Sequence, residues 1–103
     1  MTIKVRIGEQ ELDLAEVSDS WIHDQLRRRR QDGQNVCLQV SIHTGSLNML
    51  LSTPGCRGGE AGSRRATERE QRVFDLWERG GMGQAGFQAG DVVGFLQALR
   101  RFL

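Results

Sequence analysis

The chain has 103 residues with a formal net charge of +1, 38% hydrophobic and 26% charged residues, 13 Gly, 1 Pro and no Tyr. That length suits one domain, able to remove roughly 65% of its unfolded-chain surface from water without a metal or disulfide staple. The near-neutral balance argues against a general nucleic-acid or membrane binder, and no apolar run approaches the roughly 20 residues that span a bilayer. Met1-Thr2-Ile3-Lys4 leads straight into a strand pattern instead of a signal peptide's apolar region, so a cytoplasmic protein is expected. The overall balance hides segregation along the chain: residues 1–26 carry Lys4 and Arg6 against six acidic residues, a local total of −4, and residues 27–30 are four consecutive arginines.

In chain order, Ile3, Val5 and Ile7 alternate with polar residues, and Leu12 and Leu14 alternate after Gly8-Glu9-Gln10, which predicts a first hairpin with Lys4, Arg6, Glu11 and Asp13 on its outer face. Ser18 is a strong N-cap, Val17 and Ile22 occupy staple positions, and Gly33 is placed to end the helix that follows. Its apolar stripe is thin, because Ile22 and Leu26 run into Arg29 or Arg30. One of these arginines is expected along the core edge, with its stem on apolar surface and its guanidinium in water.

The clearest period in the chain follows. Val36, Leu38, Val40 and Ile42 alternate with Cys37, Gln39, Ser41 and His43, and beyond Thr44-Gly45-Ser46 the alternation resumes at Leu47, Met49 and Leu51. This is a hairpin with one apolar face. Residues 53–66 carry neither period and read as a mobile loop, with Gly and Arg concentrated in 54–66.

Thr67 and Glu70 stand at capping-box spacing and open a helix with Val73, Phe74, Leu76 and Trp77 on its apolar side, closed by Gly80-Gly81. Phe87 and Val92 form a second staple around an N-cap near Gln88, and the last helix carries Val92, Val93, Phe95, Leu96 and Leu99. Gly94 inside it costs about 1 kcal/mol relative to Ala, which predicts a close neighbour. The expectation is a single α+β domain in the order ββαββαα, with helices on one face of an antiparallel sheet and the strand order left open.

For function, the 54–66 loop has an anion-binding composition: Gly55, Gly58, Gly59 and Gly62 expose backbone N–H groups, while Arg57, Arg64 and Arg65 add charge ahead of a helix N-terminus. It lacks the Walker spacing and lysine, and a plain tether is the preferred reading. Arg27 to Arg30, Arg27 and Arg28 foremost, would with Arg57, Arg64 and Arg65 make a phosphate-binding patch if contiguous, although a solvated helix end is the simpler role. Cys56 with His43 or His23 is a weak nucleophile pairing, since nothing orients the histidine, and the two His and two Cys lack zinc spacing. Two free thiols are expected, Cys56 reactive and Cys37 slow, with no disulfide between them. Neither cofactor nor metal nor catalytic residue is expected. The reading is a small non-enzymatic module binding most plausibly a protein, with nucleic acid or another anion as alternative and a Cys-dependent enzyme as the weaker class. Mixed charge around an apolar patch would favour protein, and one contiguous arginine patch would favour phosphate.

Overall fold

A computed structural model describes residues 2–31, 36–45, 47–54, 56, 67–84 and 86–103. The elements are β1 (Thr2–Ile7), β2 (Gln10–Asp13), α1 (Asp19–Gln31), β3 (Leu38–His43), β4 (Asn48–Ser52), α2 (Glu68–Arg79) and α3 (Ala89–Phe102), with a 3-10 turn at Leu14–Glu16. This is the order ββαββαα, and the four strands form one antiparallel sheet in the spatial order β2-β1-β3-β4. β2 and β4 thus lie at its edges, while β1 and β3, the most regular alternating segments, pair at its centre. Because β1 is antiparallel to both neighbours, β2 and β3 run parallel, and α1 is the crossover between them.

The two-residue period puts Ile3, Val5 and Ile7 of β1, Leu38, Val40 and Ile42 of β3 and Leu51 of β4 on one face, all buried. They share a single core with Ile22 and Leu26 of α1, Val73 and Trp77 of α2, and Val92, Phe95, Leu96 and Leu99 of α3. Val36, Leu38, Val40, Ile42, Val73, Trp77, Phe95 and Leu96, each on the apolar side of its own periodic segment, are all buried. Phe95 meets the Trp77 ring edge to face, with centroids 5.3 Å apart.

The helix starts form as their sequences dictate. Ser18 Oγ accepts from Trp21 N at 3.1 Å. Thr67 and Glu70 form a reciprocal capping box, and at the start of α3 Asp91 Oδ2 accepts from Gln88 N at 2.9 Å. Gly80 ends α2, and Gly81 follows at φ +82°, a conformation that costs a glycine little. Gly33 lies outside the described residues.

Four expectations are corrected. Leu14 is not in the second strand: the Asp13 side chain accepts from Ala15 N, which turns the chain into the 3-10 turn and buries Leu14 from there. Gly94 has no close neighbour, since a Cβ built there meets nothing within 4 Å, and the residue faces outward. Thr53 is not loop. It is buried, its N–H donates to Leu38 O at 3.0 Å, and its hydroxyl accepts from Leu38 N and donates to Val36 O, so pairing with β3 runs one residue past β4.

The fourth correction follows from the third. With Thr53 fixed, Cys56 N donates to Thr53 O at 3.0 Å, and the chain turns back toward β3. Cys37 and Cys56 then stand with α-carbons 4.6 Å apart and are joined by a disulfide, within the reach such a bond allows. Neither is a free thiol. Cross-linking residues 19 apart in sequence stabilises the fold by about 3 kcal/mol in the chain-entropy account. The proposed flexible loop, apart from Pro54 and Cys56, lies outside the described residues.

Candidate interaction surface

The three helices among the described residues pack on one side of the sheet, and the alternate residues of the strands line the other, where Ser52 is buried and Lys4, Arg6, Glu11 and Leu50 are exposed. The strand register orders them in rows. Asp13, Lys4, Ser41 and Leu50 form one row across β2, β1, β3 and β4, and Glu11, Arg6, Gln39 and Ser52 form the next. Lys4 Nζ lies 3.6 Å from Glu11 Oε1, an exposed diagonal pair worth little to stability but enough to hold both charges in place. Gln39 Nε2 donates to Ser52 Oγ at 3.3 Å, and Ser41 Oγ lies 3.2 Å from His43 Nε2. Leu50 is 44% exposed, more than any other large hydrophobic residue among those described. An apolar side chain near one sheet edge is therefore flanked by hydroxyl, amide and imidazole groups, with both signs of charge at the opposite edge.

The sequence assigned no role to Leu50. The signal was present in Met49-Leu50-Leu51, since three successive apolar residues in a strand cannot all face the core. Met49 is half-buried and Leu51 buried on the inner side, which leaves Leu50 outside.

Of the arginine candidates, only those on α1 are among the described residues. Arg27 and Arg28 are exposed on α1, and Arg27 Nη2 lies 3.7 Å from Asp24 Oδ1. Arg57, Gly58, Gly59, Arg64 and Arg65, with Gly55 and Gly62, lie outside the described residues. Arg29 takes the core-edge place, with one difference: its guanidinium packs on Gly8 instead of standing clear in water. A Cβ at Gly8 would come within 2.6 Å of Arg29 Nη1, and Arg29 Nε is buried without a hydrogen-bond partner. Gly8 also sits at φ +62°, and it is this conformation that favours glycine in the turn between β1 and β2, since the Arg29 side-chain end could shift aside.

His23 is half-buried on α1 and His43 exposed on β3. With Cys56 held in the disulfide, neither has a free thiol to activate. No group of three or more His, Cys, Asp or Glu among the described residues is arranged to hold a metal ion. A shallow cleft of about 160 Å³ lies between Ile3, Asp13, Leu14, Ala15 and Arg100. Its one cation is already engaged, because Arg100 Nη1 donates to Asp19 Oδ1 at 2.6 Å and ties the end of α3 to the start of α1.

Two carboxylates are held below their ordinary range. The hydrogen bond from Arg100 lowers Asp19 most, with Gln97 adding a second. Glu70 is lowered first by the backbone N–H of Thr67 and then by that of Asn48, the bond that fastens α2 to the edge strand β4. A carboxylate with a depressed folded-state pKa contributes stability that is complete above its unfolded value, near 4, and is lost as pH falls through the folded value. Replacing both, Asp19→Asn with Glu70→Gln, should therefore flatten the decline of melting temperature below about pH 4. An acid limb as steep as the parent's would remove these two groups from the account.

No helix among the described residues is long and apolar enough to cross a membrane. No family model, no curated protein and no solved structure matches this chain.

Proposed function

We propose that this chain is a small non-enzymatic protein-interaction module that recognises its partner through the open face of the sheet. The observation that supports this reading is Leu50, exposed in the same row as Ser41, Lys4 and Asp13, with Arg6 and Glu11 in the row beside it. Apolar contact gives a protein partner its binding energy, and the ordered charges select orientation and partner more than they add affinity. The occupant that fits is a folded protein surface with one apolar residue opposite Leu50 and charges of both signs opposite the β1–β2 side. A phosphate backbone would find no net positive field there, because Glu11 and Asp13 offset Lys4 and Arg6.

The cytoplasm remains the proposed compartment. A disulfide there has to persist against the cellular thiol pool, or open and close with it.

The test is a pull-down from the source cell lysate, with and without nuclease, comparing the parent with Leu50→Asp. The expected result is a protein partner retained through nuclease treatment and lost with Leu50→Asp, at an unchanged melting temperature. A partner that disappears with nuclease would make nucleic acid the ligand instead. A partner indifferent to Leu50→Asp would remove the sheet face from the reading.

A further inference from the structure

We propose that the Cys37–Cys56 bond is a reversible redox site, opened by thiols while the fold stands and closed again without backbone rearrangement. This does not depend on the protein-binding reading above. Both cysteines are half-buried, so the bond is within reach of a small nucleophile and is not sealed in the core.

The hydrogen bonds that position the two residues are independent of the bond between them. Cys37 O accepts from Gly8 N at 3.0 Å, and Cys56 N donates to Thr53 O at the same distance. Thr53 is in turn fixed to Leu38 and Val36 through its N–H and its hydroxyl. Reduction leaves all of these in place, so the two sulfur atoms stay poised to rejoin. The reduced Cys56 thiol also has a partner waiting, since its Sγ lies 3.5 Å from Leu38 O, a carbonyl able to accept the new S–H.

The surroundings favour an anionic thiol as reductant. Arg6 Nε donates to Gly8 O at 3.3 Å, and the Arg29 guanidinium rests on the same glycine, whose N–H holds Cys37. Two cations thus meet at Gly8, whose N–H bonds the Cys37 carbonyl, with the exposed residues Glu9 and Glu11 on the same hairpin. Partly open settings with a cation nearby are where cysteine pairs exchange rather than serve only as staples. In the exchange, an external thiolate attacks one Sγ and the S–S electron pair leaves on the other. A second external thiol then attacks the external sulfur of the mixed disulfide, which releases the remaining cysteine. Two protein thiols and one external disulfide result, and the two external thiol protons end on Cys37 and Cys56.

The experiment exposes the native protein to reduced glutathione, or to neutral mercaptoethanol, at neutral pH, quenches with a maleimide and follows mass and circular dichroism. The expected result is two adducts on a protein with unchanged circular dichroism, and return of the parent mass when unquenched samples are given oxidised glutathione. Arg6→Gln should slow the glutathione reaction several-fold and the mercaptoethanol reaction less, because the mercaptoethanol thiolate carries the smaller negative charge, while Arg6→Lys keeps both. Adducts that appear only in denaturant, or a reduced protein that loses its circular dichroism, would make the bond a structural staple and overturn the proposal. Equal slowing of both thiols by Arg6→Gln would overturn the electrostatic part.

Discussion

Truncating Leu38 to Ala should lower stability by about 2 to 5 kcal/mol, the range for removing a fully buried leucine from a core that only partly collapses. Leu38 has no exposed surface, pairs with Ile7 of β1 in the centre of the sheet, and carries on its own backbone both hydrogen bonds to Thr53. For a domain of this size the loss corresponds to a fall in melting temperature of at least about 8 °C. The hydrogen bonds survive the substitution, so the effect reports packing alone. A melting temperature unchanged by Leu38→Ala would mean that the inner face of the sheet is wrongly assigned. Gln39→Ala is the control: it changes the neighbouring residue on the open face and should cost far less, because its one bond to Ser52 Oγ is only partly buried.

The contrast between those neighbours shows how much could be read from the chain alone. Alternation over residues 36–42 identified the inner face correctly, because a strand with one face in the core and one in solvent has no freedom to change phase. Helix starts were equally legible, since Thr67 with Glu70 and Gln88 with Asp91 satisfy local backbone donors from within four residues. Strand order and the disulfide were not legible, as both depend on which distant segments meet. Cys37 and Cys56 are joined because Thr53 extends the pairing with β3, and Thr53 stands in a stretch whose Gly and Pro content reads as loop. Gly94 failed for the opposite reason. A glycine inside a helix has a local cost, but nothing local reveals whether a neighbour makes use of the space. The candidate surface lay between these cases: the charges of β1 and β2 were placed on the outer face from sequence, whereas Leu50 was given no role although Met49-Leu50-Leu51 already required an apolar residue to face outward.

Trp77 is where the largest single loss is expected. Its side chain is fully buried on α2, packs edge to face with Phe95 of α3, and joins the core formed with the sheet. Trp77→Ala should therefore cost about 3 to 5 kcal/mol. Trp77→Phe should cost well under half of that, for a reason specific to this site. The indole Nε1–H is buried with no hydrogen-bond partner. An unsatisfied buried donor carries a desolvation penalty of about 1 to 3 kcal/mol, which phenylalanine removes while keeping most of the ring contact. The two effects oppose each other, since the smaller ring leaves a cavity, and their balance is measurable by urea unfolding of parent, Trp77→Phe and Trp77→Ala followed by circular dichroism. If Trp77→Phe proved as damaging as Trp77→Ala, the indole N–H would have to be making an interaction that stabilises the fold, and the donor would not be an orphan.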